Sequence, residues 1–131
     1  MATYDQKTLL KPVKALNIAV INSNATTAGN SIDLVGFEAC TFVVELGART
    51  DGTFLPLIQD SDDNSSFVNV DDQFLIGTEA EAQINTANTI KTIGYVGKKR
   101  YVKLSLVSTS VTSGATASAT AILGHSAVNP V

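Results

Sequence analysis

Residues Thr92–Thr109 read TIGYVGKKRYVKLSLVST, and the alternation in this stretch decides the fold class. Val102, Leu104 and Leu106 fall on one side of the chain, and Tyr101, Lys103 and Ser105 on the other. A period of two places alternate side chains on opposite faces of a strand, so one face here is built for a core and the other for water. Just before it, Ile93 and Tyr95 form a second short apolar run. Gly97-Lys98-Lys99 lies between the two, with a glycine able to take the positive φ of a tight reversal. The stretch therefore predicts a β-hairpin near the middle of a sheet, with Lys98, Lys99 and Arg100 at its tip.

Outward from this stretch the same period recurs. Leu16 to Ile21 predicts a strand with Leu16, Ile18 and Val20 on one face, closed by the turn residues Asn22-Ser23-Asn24. Ser31 to Val35 predicts a second, with Ile32 and Leu34 inward. Ala39 to Leu46 predicts a third whose inner face is Cys40, Phe42, Val44 and Leu46. Asp51-Gly52 is a turn dipeptide. Thr53 to Gln59 follows as a strand with Pro56 in its interior, and a missing ladder donor predicts an edge position or a bulge. Ser66 to Val70 returns across a polar turn. Asp71 to Asn88 has no regular period; Thr78 and Glu81 have capping-box spacing, enough for one helical turn at most. Ala115 to Leu123 alternates Ala115, Ala117, Ala119, Ala121 and Leu123 against Thr116, Ser118, Thr120 and Ile122. A face of bare methyl groups suits a closely packed sandwich interior, with a tight subunit contact as the alternative. Helical periodicity is absent over any long window. About eight short strands with turn signals between them predict an all-β protein, an antiparallel β-sandwich or barrel.

The chain has 131 residues, a net charge of −3, 16% charged residues and no Trp. That length suits one domain with its own core. The expected division is an arm over 1–14 and a single domain over 15–131. The arm mixes Lys7, Lys11 and Lys14 with Leu9, Leu10 and Val13, and Pro12 discourages regular pairing. It is read either as a frayed terminus or as an extended arm laid on a neighbouring subunit. Beyond Lys98-Lys99-Arg100 there is no basic block, so nucleic acid is not an expected partner. No apolar run approaches the length of a membrane span and no signal-peptide h-region is present, so neither a membrane nor export by such a signal is expected.

Catalytic and metal chemistry find little support. Asp60, Asp62 and Asn64 have the spacing that opens an EF-hand loop, with Asp71 at the twelfth position. Ser65 stands where the loop glycine belongs, Asp71 where a bidentate Glu belongs, and strands rather than helices flank the segment. A polar tip with Asx turns explains the same letters and is the preferred reading. Cys40, the single cysteine, reads as a buried structural thiol. His125, the single histidine, has no nucleophile motif or second imidazole to work with. The expectation is a non-enzymatic protein with no cofactor.

Four segments taken together resemble a known family. They are Asp51–Phe67 (DGTFLPLIQDSDDNSSF), Leu75-Ile76-Gly77, the run Ile93–Val102 (IGYVGKKRYV), and Leu123-Gly124-His125-Ser126 ahead of Pro130-Val131. In this order they resemble small structural proteins encoded in the head-gene clusters of tailed bacteriophages and prophages, over roughly the last two-thirds of the chain. The resemblance implies a virion protein, a capsid decoration (cement) protein with a β-sandwich or jelly-roll-like fold. It would be made in the host cytoplasm and carried on the capsid surface, docked on the major capsid protein and self-associated as a dimer or trimer. The expected contact residues are Lys7, Leu9, Leu10 and Lys11 of the arm and Lys98, Lys99 and Arg100 of the tip. A lattice brace works through repeated contacts and needs no pocket. The alternatives are a head–tail joining or tail structural protein, and, from another class, a carbohydrate-binding module, for which three Tyr and no Trp make a poor aromatic platform.

Overall fold

A computed structural model describes residues 7–126 of the chain. Ten strands are formed: β1 (Lys11–Ile21), β2 (Ala25–Thr27), β3 (Ser31–Asp33), β4 (Phe37–Arg49), β5 (Thr53–Ser61), β6 (Val68–Asn69), β7 (Leu75–Ile76), β8 (Thr89–Tyr95), β9 (Tyr101–Thr109) and β10 (Ala115–Ser126). They pair antiparallel in two sheets, β1-β10-β4-β8-β7 and β2-β9-β5-β6, with β3 also on β9. This is the all-β sandwich the alternation predicts. The two additions to the expected strands, β2 and β7, have three and two residues and carry no period of their own.

The core forms where the inner faces meet. Phe42, Val44, Leu46 and Ile93 come from the first sheet, and Phe54, Ile58, Val102, Leu104 and Leu106 from the second. The alanines of β10 face inward. Ala117, Ala119, Ala121 and Leu123 stand opposite Leu46, Val44, Phe42 and Cys40 of β4, so small side chains alternate with large ones across the central pair. That interdigitation fills the space between sheets without strain.

The central correction concerns the opening stretch. β8 and β9 are not a hairpin: β8 lies between β4 and β7, whereas β9 lies in the opposite sheet between β5 and the short strands β2 and β3. Residues 96–100 carry the chain across the gap between sheets, and Gly97 is not among the positive-φ glycines. Gly97 serves a different need. A Cβ there would lie 2.4 Å from the Tyr95 hydroxyl oxygen, so only glycine lets the ring fold back beneath the crossing. Alternation identifies a strand's inner face but says nothing about which strand lies beside it.

β1 departs from expectation as well. It starts at Lys11 rather than Leu16, and Pro12 is accommodated because β1 is an edge strand. Register shifts between Lys14 and Leu16 and between Leu16 and Ala19 break the alternation. Ala15 and Leu16 are both buried, while Ile18 and Val20 are 70% and 68% exposed on the outer face. A bulge adds a residue and inverts the phase beyond it.

The proline in β5 behaves as predicted in local terms. Phe54 and Ile58, two residues either side, donate their N–H groups away from β9, to the Ile84 carbonyl (2.9 Å) and to Glu79 Oε2 (2.7 Å). Pro56 shares their phase, so its missing donor falls on the outward side, where β6 pairs only Gln59 and Asp60. The irregular segment supplies the cover: Glu81 N–H donates to Thr78 Oγ1 (3.1 Å), one capped turn, and holds Glu79 at the exposed edge. Burial pushes the Glu79 carboxyl up, partly offset by the bond from Ile58. Among the described residues no helix is long and apolar enough to cross a membrane.

Candidate functional site

The two regions singled out in the sequence, the arm and the 98–100 cations, meet at one end of the sandwich. β10 ends beside β4, with Ser126 opposite Phe37. Lys11 opens β1 on the other side of β10, and its ammonium sits 5.9 Å over the Phe37 ring. Phe37 also lines a groove of about 340 Å³ together with Leu34, Cys40, Tyr95, Lys98 and Arg100. Leu10 packs on the bare backbone of Gly124, where a Cβ would approach its Cδ2 to 2.9 Å. Lys7, Leu10, Pro12 and Ile122 then border a shallow apolar hollow. Leu9 is half exposed.

The cations differ in their surroundings. Arg100 makes a bidentate pair with Asp33 of β3, Nε to Oδ1 and Nη2 to Oδ2, both 2.9 Å, and stacks 5.0 Å from the Tyr101 ring. The fork geometry of guanidinium and carboxylate favours this pairing, and it holds the Asp33 carboxyl below its ordinary value. Lys99 Nζ lies 2.8 Å from Asp62 Oδ2. Lys98 has no ion-pair partner among the described residues. Two of the three tip cations thus act as clasps: Arg100 draws the crossing onto β3, and Lys99 draws it onto the β5–β6 turn. Both pairs are solvent-exposed, where screening by water leaves such pairs little net effect on stability.

Beneath the clasps lies a buried polar contact between the sheets. The Tyr95 hydroxyl, at the end of β8, donates to Asp60 Oδ2 of β5 at 2.8 Å and accepts the Lys99 N–H at 3.2 Å. Burial raises the phenol well above its usual pKa, and the bond to Asp60 adds to the shift. The same apolar surroundings push the Cys40 thiol up to about 12, which leaves it protonated at neutral pH and a poor nucleophile.

The residues with calcium-loop spacing do not converge. Asp60 turns in to Tyr95, Asp62 out to Lys99, and Asn64 Oδ1 accepts the Ser31 hydroxyl. Asp63, between them, organises the turn: it accepts the N–H groups of Ser65 and Ser66 (both 2.9 Å) and the Ser61 hydroxyl (2.8 Å), which lowers its pKa to about 2. This is the Asx-type tip expected from the composition. Among the described residues no three His, Cys, Asp or Glu side chains group as metal ligands, and no buried side-chain polar atom lacks a partner. The side chain of His125 and residues 1–6 lie outside the described residues.

Sequence reasoning did not show which residues pair at this end. Asp33 and Arg100 are 67 residues apart, and Tyr95 and Asp60 are 35 apart. No local pattern signals either contact. What the arrangement offers chemically is a braced, mixed polar and apolar end: exposed Lys98, the Lys11–Phe37 contact, and a groove with no activated nucleophile among its lining residues.

No protein-family model and no curated protein sequence matches the chain. Among solved structures it is similar to the SPBc2 prophage-derived protein YomS, with a TM-score of 0.56 and 15% identity over 87% of this chain and 91% of that one. At that identity the likeness is one of fold.

Proposed function

We propose that this protein is a non-enzymatic structural protein of a tailed-phage virion, a decoration (cement) protein that docks on the major capsid protein and braces the head. The observation that carries the reading is the fold likeness to a prophage-derived protein over nearly the whole of both chains. The sequence resemblance to phage head-cluster proteins points the same way. The braced end of the sandwich suits the role: Lys11 of the arm sits over Phe37, which lines the same groove as exposed Lys98, and Lys99 and Arg100 tie the crossing to Asp62 and Asp33. Rigid, shallow, mixed surfaces serve a lattice contact that is repeated many times, because avidity multiplies modest individual affinities. Self-association belongs to the same reading.

The test is binding of the purified protein to expanded capsid shells of its own phage, with bound copies counted per shell. Saturation at a ratio matched to the capsid lattice is the expected result. Lys98→Glu combined with Leu10→Glu should weaken it about tenfold or more. A few copies per particle would replace decoration with a head–tail or tail role. No binding at all would overturn the virion reading and turn attention to glycans.

A further inference from the structure

Beside the Lys99–Asp62 clasp lies a carboxylate whose hydrogen bonding is incomplete. Asp60 is only 7% exposed, yet it meets a single donor: the Tyr95 hydroxyl bonds its Oδ2, and among the described residues nothing donates to its Oδ1. No buried side-chain oxygen of the described residues lacks a partner, so Oδ1 is reached from solvent. Asp60 lines two adjoining hollows, of about 240 and 280 Å³, which share Asp62 and Lys99. The rest of the smaller hollow is built the same way. Asp62 gives Oδ2 to Lys99, and Asp63 gives Oδ1 to Ser61, Ser65 and Ser66. Asp62 Oδ1 and Asp63 Oδ2 therefore have no donor among the described residues. Carboxylates outnumber the one ammonium in this lining, and Val68 and Phe74 give the hollows apolar flanks.

From this arrangement we infer that the hollow receives an arginine side chain of the docking partner. A carboxylate held largely out of water calls for a charged donor beyond the one hydroxyl that Asp60 has. Lys99 does not supply it, because its Nζ is paired with Asp62. A guanidinium fits better than a second ammonium. Its planar fork meets two oxygens at once, and its weak hydration suits a site flanked by Val68 and Phe74. A metal ion fits less well: the Lys99 ammonium stands in the same hollow and repels it, and no three ligating side chains group among the described residues.

The inference rests on the docking reading above for its partner and names the chemistry of that partner, but the site itself is tested without a capsid. Amide NMR spectra of the full chain are followed while Nα-acetyl-arginine methylamide is added at low salt, with its neutral citrulline analogue and calcium chloride in separate titrations. Saturable shifts at residues 60–66 and 97–99 are expected from the arginine compound alone. Asp60→Asn keeps an amide oxygen for Tyr95 but turns the open acceptor into a donor, and should weaken that binding about tenfold or more. Lys99→Met removes the competing ammonium and should strengthen it. Thermal melting checks that both variants fold. No saturation, equal shifts from the citrulline analogue, a response to calcium in place of arginine, or binding indifferent to Asp60→Asn would overturn the site. The same Asp60→Asn protein is then counted on capsid shells, where reduced occupancy is expected. Shells that bind it as well as the parent chain would overturn the assignment to the docking partner. Shells that bind neither protein would sink the virion reading while leaving the arginine site in place.

Discussion

At the scale of single residues, stability rests on a few polar groups whose partners lie far along the chain. Tyr95→Phe removes a hydroxyl that both donates to Asp60 and accepts from Lys99. It leaves a buried carboxylate without its donor, so the expected cost is about 1–3 kcal/mol in chemical denaturation. An unchanged midpoint would mean that water replaces the phenol. Asp63 contributes to the acid limb, as do Asp33 and Asp51, whose carboxyls are also held below their ordinary value. The folded pKa of Asp63, about 2, lies below the ordinary carboxylate value of ~3.9, so its contribution is present above that value and lost as pH falls toward about 2. NMR titration should place Asp63 near 2, and Asp63→Asn should lessen the stability loss in that window. A carboxyl titrating at its ordinary value would sink the idea.

At the scale of elements, the sandwich is closed along one side by a backbone crossing with no room for a side chain. β2 and β3 both pair with β9, and the chain between them passes over Leu104 toward β1. Asn30 stitches this side, its N–H donating to the Ala15 carbonyl (2.7 Å) and its Nδ2 to the Lys14 carbonyl (3.1 Å). A Cβ on Gly29 would lie 1.8 Å from the Leu104 oxygen and 2.6 Å from the Ala15 oxygen. Gly29→Ala should therefore cost about 3 kcal/mol or more, or prevent folding, because backbone must move. Gly36 is the control: its φ is +86° but nothing lies within 4 Å of an added Cβ. Gly36→Ala should cost only about 1–2 kcal/mol, the conformational penalty alone. Equal losses in the two proteins, read from denaturant midpoints, would show that space is not the deciding factor.

At the scale of the whole molecule, the strands nearest the two ends of the described chain are neighbours. β1 pairs with β10 over most of its length, and Val13 packs against the core. Thermal stability should be clearly lower after removing residues 1–14 than after removing 1–9. The longer truncation strips the first turnings of an edge strand and uncovers the Val13 side of Ala121. Melting curves for the two truncations decide this, and equal curves would mean that the start of β1 contributes nothing. The comparison also separates a contact role for Lys7 and Leu9 from a structural role for Lys11 and Val13.

Period-two alternation by itself determined the fold class and the inner faces of β4, β9 and β10, because burial on one side of a strand is written into consecutive residues; the missing donor of Pro56 marked a place where β5 lacks a neighbour on one side. The Asx tip at Asp63 was legible for the same reason: its bonds span two or three residues. Which strands are neighbours was decided only in the tertiary structure. The apparent hairpin at 97–99 is a crossing between sheets, since Tyr95 turns beneath Gly97 to reach Asp60 and the Arg100 fork closes on Asp33. Those contacts join residues tens of positions apart, and so does the meeting of the arm with the 98–100 cations at one end. The phase of β1 was lost for a subtler reason: a bulge adds one residue and turns Ile18 and Val20 outward while leaving their letters as apolar as before.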